Sequence, residues 1–372
     1  MTVLITGGDG YLGLRVAQRY LRQTRDALLL WVRAADENEL ALKRRSVERA
    51  LQVPAPRLRV AGGDLTAASP FAGIDPHAIR AIVHAAAHTR FDVAQPLAQA
   101  INVDGTGKLL AFAASCPGLE RLTLVSSLYA CGLQCGRVAE APCSGESGFA
   151  NWYEWSKWRA EQRLLRDFAH LPWRILRLAT VIADDESGTV GRHNAVHHTL
   201  RLVYHGLLSL LPGDPATPLY FVTGDFAADA ITALTETTSD RAIYHLAHER
   251  AATCTLGEVV TAVFAAFARD VRFRSRRILP PLYCDWESFA ALAEAVDAFS
   301  GAAVKQAMRN VAPFARQLGA PKEVDNHNLR TQYPAYRAPD PHQLIARTCA
   351  ALLRTGWQRP PTRLHGAIAC TA

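Results

Sequence analysis

A phenol, an ammonium and a hydroxyl stand at spacings that suit proton transfer. Tyr153 and Lys157, in the run Tyr153-Glu154-Trp155-Ser156-Lys157, are four residues apart, so on a helix they share one face. An ammonium so placed can depress the phenol's pKa and hold a ribose while the phenol exchanges a proton with a substrate oxygen. Ser127 ends the apolar run LTLVSS upstream. From a strand end it can hydrogen-bond the same oxygen. A tyrosine and lysine at this spacing are common in any sequence, and the signal becomes specific only with Ser127 and the glycine loop described next.

The second chemical group binds rather than reacts. Thr6-Gly7-Gly8-Asp9-Gly10-Tyr11-Leu12-Gly13 follows an apolar run and opens an amphipathic one. Glycines at 7, 10 and 13 permit a tight turn, close approach of backbone to a pyrophosphate, and close packing of the helix that follows. An NAD site carries a carboxylate about twenty residues past the last glycine, where it accepts from the ribose 2'-hydroxyl. Here Leu30-Trp31-Val32-Arg33 holds no acid, and Arg33 occupies that spacing. Arg33, with Lys43 and Arg44 on the following helix, predicts a 2'-phosphate and therefore NADP(H). The plain alternative for Arg33 is a solvated strand end.

Other residues that suggest chemistry have simpler readings. His84 and His88 are four apart but bracket a strand end, which favours one packed and one loop histidine over a metal pair. His193, His197 and His198 fall at the expected mouth of a substrate pocket. Eight cysteines are scattered without a CxxC pair, and they read as reduced thiols. Cys131, Cys135 and Cys143 match no common zinc spacing, so no metal is expected.

The elements that must position these residues alternate along the first half of the chain. VLITG, ALLLWV, LRVAGGD, AIVHAA, LTLVSS and RILRLATVI are strand-like runs without polar alternation. Between them lie helical patterns over 13–23, 37–51, 97–114 and 152–168. Apolar strands separated by helices indicate a parallel sheet covered on both faces. The fold class is therefore α/β, a doubly wound parallel sheet over 1–182, with a smaller, mostly helical C-terminal lobe over 183–372. A strand or helix is expected to return to the sheet around 219–248. In the lobe the pattern predicts helices over 196–211, 286–299 and 342–355, a strand at the arginine-rich VRFRSRR, and a frayed tail after Gly356.

Composition sets the outer limits. The 372 residues carry a net charge of +7 and are 49% hydrophobic, which suits a globular protein with a large core. No apolar run is long enough to span a bilayer, and a strand begins too near Met1 for an export signal, so the expected location is cytoplasmic. Basic residues cluster over 14–60 and again at Arg269, Arg272, Arg274, Arg276 and Arg277. Neither cluster is interleaved with the aromatic platforms of nucleic-acid readers, so nucleic acid is not an expected partner.

Taken together, these motifs resemble the extended short-chain dehydrogenase/reductases. That family's pattern of glycine loop, acid after the third strand, strand-end serine and YxxxK is met by Gly7, Gly10, Gly13, Asp64, Ser127, Tyr153 and Lys157. LLLWVRAADENE, VHAAAHTRFD, INVDGTGKLL and NWYEWSKWRAEQ resemble its thioester-reductase and fatty-acyl-reductase branch. The resemblance implies that Asp64 and Leu65 flank the adenine, that Ala85 and Ala86 line the cofactor channel, and that Asn102 braces the sheet. Thr6, Tyr11, Leu12 and Val181 would complete the cofactor contacts. The family's Arg-Pro after strand six is replaced by Arg177-Leu178.

The implied reaction is NADPH-dependent reduction of an acyl thioester to an aldehyde or alcohol, with Ser127 and Tyr153 stabilising the oxyanion and Tyr153 supplying the proton. Alternatives on the same fold are a hydroxyacyl or steroid-like alcohol dehydrogenase and a nucleotide-sugar epimerase or dehydratase. Arginine and asparagine contacts expected of a sugar-nucleotide pocket are scarce in the Ala- and Leu-rich lobe. The acyl group is expected to arrive in trans on CoA or an acidic carrier protein, steered by the Arg269–Arg277 cluster, and the chain is a possible homodimer.

Overall fold

A computed structural model describes residues 1–52, 57–238, 241–299, 301, 305, 312 and 314–358. Seven parallel strands form its centre: β1 (Thr2–Thr6), β2 (Ala27–Arg33), β3 (Leu58–Gly63), β4 (Ile79–His84), β5 (Arg121–Ser127), β6 (Trp173–Leu178) and β7 (Ala242–Leu246). Their order across the sheet is β7-β6-β5-β4-β1-β2-β3. The chain reverses direction across the sheet between β1 and β4, which opens a crevice at the strands' carboxyl ends where such sheets bind ligands.

Side-chain alternation explains why these strands are apolar throughout. Val3 and Ile5 of β1 enter one core while Leu4 enters the other, and Leu28, Leu30 and Val32 of β2 oppose Leu29 and Trp31 in the same way. The first core is covered by helices α1 (Tyr11–Gln23) and α2 (Glu37–Leu51). The opposite core receives Leu109 and Leu110 of α3 (Gly105–Ala114) and Leu164 of α4 (Trp152–Asp167). Before α3 the helical run over 95–114 contains a π segment, Gln99–Asp104. Such wide turns recur near functional sites.

After β6 the chain runs through Thr180–Ala183, helix α5 (Ala195–His205) and helix α6 (Gly224–Glu236), then returns as β7 beside β6. α6 packs on α1, with Arg19 bridging to Asp225 and Asp229. Beyond β7 come α7 (Leu256–Phe267), α8 (Val271–Ser275), α9 (Trp286–Phe299) and α10 (Pro341–Arg354). Their core is aromatic-rich, with Tyr204, Phe267 and Phe273 in mutual contact.

Two expectations for this lobe are corrected. Val271–Ser275 of VRFRSRR is helical, because the Asp270 side chain caps the helix by accepting from the Arg272 amide at 2.8 Å while Phe273 turns into the core. The helix expected over 196–211 stops at His205, where Gly206 takes a left-handed φ of 70° that ends the turn. Leu210–Pro212 then forms a short strand beside Leu282–Cys284. Of the tail after Gly356, residues 359–372 lie outside the described residues. Among those described, no helix is long and apolar enough to cross a membrane.

Candidate active site

The crevice at the carboxyl ends of β1, β4, β5 and β6 is a cavity of about 880 Å3. One end is the glycine loop. Gly7 has a left-handed φ of 69°, and a Cβ on Gly13 would lie 2.1 Å from the Gly7 carbonyl oxygen, so α1 closes on the loop only because position 13 lacks a side chain. No side chain caps α1 at Gly10, and its first turn contains no acid. Uncapped amides and the positive end of the helix dipole therefore face the cavity where Tyr11, Leu12 and Gly13 line it. This is a fit for the pyrophosphate of a dinucleotide.

Beside that loop lie Trp31, Arg33, Asp64 and Leu65. Asp64 accepts from the Thr66 amide and hydroxyl at 2.8 and 2.7 Å, and these bonds hold its carboxyl below the usual range. Arg33 is exposed on the rim. Of its expected helpers, Lys43 reaches only its backbone, donating to the Arg33 carbonyl. Lys43 is paired to Asp9 at 3.0 Å and Glu39 at 3.3 Å, which neutralises its charge, and the Arg44 guanidinium faces the Val60 carbonyl at 3.4 Å, away from the cavity lining.

At the other end stand Ser127, Tyr153 and Lys157. Asn151 starts α4 by accepting from the Glu154 amide at 3.0 Å, and that cap sets Tyr153 in the first turn and Lys157 one turn later. All three side chains are buried at the cavity wall. The Ser127 hydroxyl hydrogen-bonds the phenol. The expected depression of the phenol by Lys157 is not found. Burial pushes Tyr153 up to about 12, the Ser127 hydrogen bond opposes this, and Lys157 has no resolved influence. Lys157 donates to the Val125 carbonyl at 2.9 Å, and burial lowers its pKa to about 8. At neutral pH the pair is a phenol with its proton on, beside an ammonium.

Two predicted cofactor residues, Thr6 and Asn102, act from behind the wall. Thr6 is buried; its hydroxyl meets His84 Nδ1 at 2.7 Å and accepts from the Ala86 amide at 3.2 Å, which fixes the channel segment carrying Ala85 and Ala86. Asn102, on the π segment, accepts from the His88 amide at 2.8 Å and donates to the His88 carbonyl and to Ser156 Oγ, each at 2.9 Å. It ties the β4 exit loop to α4. Among the histidines, His84 is packed between Thr6 and Thr106, as expected, whereas His88, His193 and His198 line the cavity. His197 does not. It is buried, its Nδ1 accepts from the Asn194 amide at 3.0 Å and its Nε2 meets the Ile182 carbonyl at 2.8 Å, so it caps α5.

Several cavity residues were not anticipated from sequence. Phe91, Tyr129 and Phe314 form an aromatic wall around Tyr153, with the Phe91 ring 5.4 Å from Tyr153, 5.5 Å from Tyr129 and 6.0 Å from Phe314. Glu154 is fully buried behind the wall, where it accepts from the Ala150 amide at 2.8 Å and from Gln317 Nε2 at 2.7 Å. Burial raises its pKa to about 7. The segment that brings Phe314 into the cavity is thus fastened, through Gln317, to the helix that carries Tyr153. Behind β6, Arg177 meets Glu161 at 2.7 Å with both side chains wholly buried, and losing either partner alone would cost about 3–5 kcal/mol. Leu178, where proline is usual, lines the cavity.

A family model described as "Male sterility protein", an NAD-binding family, matches residues 5–231. The chain belongs to this family. It is the thioester-reductase branch of the extended short-chain dehydrogenase/reductases that the motifs resemble. No match was found among curated protein sequences. Among solved structures, the terminal R domain of the myxalamid PKS-NRPS pathway is 22% identical with a TM-score of 0.75, covering 97% of this chain and 92% of its own. A thiolation-reductase di-domain from an archaeal non-ribosomal peptide synthetase is 15% identical with a TM-score of 0.72, covering 96% of this chain and 76% of that one. The dTDP-glucose 4,6-dehydratase of Bacillus anthracis is 16% identical with a TM-score of 0.62, covering 97% and 99%. At these identities the likeness is one of fold.

Proposed function

We propose that this member of the family is an NADPH-dependent reductase of acyl thioesters, releasing an aldehyde or alcohol. In this reading residues 1–182 bind the nucleotide and 183–372 the substrate, with β7 returned to the sheet. The observation that carries the reading is the aromatic wall of Phe91, Tyr129 and Phe314 standing directly against Ser127 and Tyr153. An apolar acyl chain gains free energy against such a wall, whereas a sugar would leave its hydroxyls unpaired there.

A reduced nicotinamide bound along the glycine loop would supply a hydride to the thioester carbon. The chain's own residues do the rest. Ser127 and Tyr153 donate hydrogen bonds to the carbonyl oxygen, in a wall from which water is displaced, where such donors count most. Tyr153 gives up its proton as charge develops, leaving a hemithioacetal whose C–S bond then breaks, the hydroxyl proton passing to the departing thiol as the aldehyde forms; its raised pKa keeps the phenol proton available across the whole physiological range. Lys157, still charged at neutral pH and lining the same cavity, would hold the cofactor's ribose hydroxyls rather than tune the phenol. Arg33, with no acid at the end of β2, supports NADPH over NADH.

The similar structures include a reductase joined to a thiolation unit, which supports a carrier-bound donor. None of Arg269, Arg272, Arg274, Arg276 and Arg277 lines the cavity, and Arg276 is engaged with Tyr204 and His205. Arg272, Arg274 and Arg277 remain exposed for steering an acidic carrier from the lobe's outer face. The deciding experiment follows nicotinamide absorbance with an acyl-CoA and the matching acyl-carrier thioester, and traps the aldehyde as a hydrazone. Thioester-dependent NADPH oxidation with trapped aldehyde supports the reading. Oxidation of a secondary alcohol with NADP+, and none with thioesters, would overturn it in favour of an alcohol dehydrogenase.

A further inference from the structure

A second site lies on the far side of the lobe, where α7 and α10 begin side by side. Cys254, Glu258 and His342 each offer one ligand atom there, and all three atoms lie within 4.8 Å of one another. Each is held in place by its own local structure. Cys254 is fixed by a short antiparallel pairing with Leu219 and is fully buried. Glu258 belongs to a capping box in which its Oε2 accepts from the Thr255 amide at 2.7 Å, leaving Oε1 available. His342 follows Asp340, which caps α10 by accepting from the His342 amide at 2.9 Å.

We propose that Cys254, Glu258 and His342 bind a divalent transition-metal ion of the zinc class, clipping α10 to α7. A sulfur, an imidazole nitrogen and a carboxylate oxygen are a zinc-type donor set, whereas the soft sulfur excludes magnesium and calcium. Coordination requires the thiol to release its proton to solvent, after which thiolate and carboxylate together balance the charge of the ion. Burial and the Glu258 and Asp340 carboxylates push the Cys254 thiol up, so the ion must displace its proton, while the same carboxylates favour the cation against the opposing helix N-termini. Three protein ligands leave one tetrahedral position open. Glu258 and His342 also line a groove of about 660 Å3 together with Arg269, Tyr283 and Gln343, from which water or an anionic group paired to Arg269 can complete the shell. Nothing in this site touches the crevice of Ser127 and Tyr153, so the proposal stands apart from the reductase reading.

The test uses the full chain stripped with chelator and titrated with Co2+ and Zn2+ alone. One equivalent of Co2+ should produce a thiolate-to-metal absorption band, displaced by Zn2+, and Zn2+ should raise the melting temperature. Cys254→Ser should abolish the band, and His342→Ala, a change at an exposed position, should weaken Zn2+ binding by about tenfold or more while leaving thioester-dependent NADPH oxidation unchanged. The proposal is overturned if no thiolate band appears, if the band survives Cys254→Ser, or if His342→Ala binds Zn2+ as tightly as the parent. Should Cys254→Ser fail to fold, the His342→Ala titration decides alone.

Discussion

The two ends of the crevice are built by different means. In the sheet half, each reactive group occupies a strand end or the first turns of a helix: Ser127 closes β5, Tyr153 and Lys157 follow the Asn151 cap, and the glycine loop joins β1 to α1. Their positions follow from parallel register and helix period. In the lobe half, Arg192 and His193 reach the cavity from a loop, His198 from the first turn of α5, and Phe314 from a segment fastened through Gln317 to Glu154. The difference teaches that chemistry here sits on elements that a substitution must unfold to move. The lobe's share of the substrate wall, Phe314, sits instead on a segment tied to the rest by side-chain bonds such as Gln317 to Glu154.

The sharpest way to break this division is to remove the proton donor without disturbing its helix. Tyr153→Phe should lower turnover by about a hundredfold or more with NADPH binding nearly unchanged, checked by kcat and by cofactor titration. Parental turnover in that variant would reassign the chemistry. Cofactor choice tests the other end of the sheet half. Arg33→Ala should cost about 1.5–3 kcal/mol of NADPH preference, roughly ten- to a hundredfold in the ratio of dissociation constants, because a charge-assisted pair to the 2'-phosphate is lost. Equal affinities for NADPH and NADH in the unaltered protein would remove the basis for this expectation.

The pH profile separates the two buried titratable groups of the site. Lys157 has its pKa lowered to about 8, so it is charged below that pH and loses its proton as pH rises through it, while Tyr153 at about 12 stays protonated. Turnover should therefore fall above pH 8 by up to about tenfold per unit. A flat profile to pH 10 would show that the ammonium is not required. The lobe half answers to smaller changes. Phe314→Ala should raise KM for long acyl thioesters by about tenfold and leave short ones almost unaffected, since one buried aromatic face is lost. Gln317→Leu should mimic this in weaker form if the Glu154 contact is what holds Phe314 in place. The smallest effect is expected on the outer face, where Arg272→Glu with Arg274→Glu should raise KM a few-fold for a carrier-bound donor at low salt alone. An equal rise for acyl-CoA would exclude steering.

Sequence alone determined the parallel sheet, the glycine loop and the placing of Tyr153 and Lys157 on one helix face, because each depends on local signals: unbroken apolar runs, glycines ahead of an amphipathic helix, and a tyrosine and lysine one turn apart. It erred where a cap outweighed a pattern, as at Asp270, whose single hydrogen bond makes a helix of an apparently strand-like VRFRSRR. It also placed His197 at the pocket mouth, when the Asn194 amide and the Ile182 carbonyl hold its ring away from the cavity lining. The tertiary structure decided what no spacing could encode. Phe91, Tyr129 and Phe314 become one wall, Glu154 meets Gln317, and Cys254 and Glu258 meet His342, only when segments remote in sequence pack together. The physical reason is one of range. Helix period and strand alternation act over a few residues and leave a trace in their order, whereas burial and side-chain pairing join whatever the fold brings within a few ångströms.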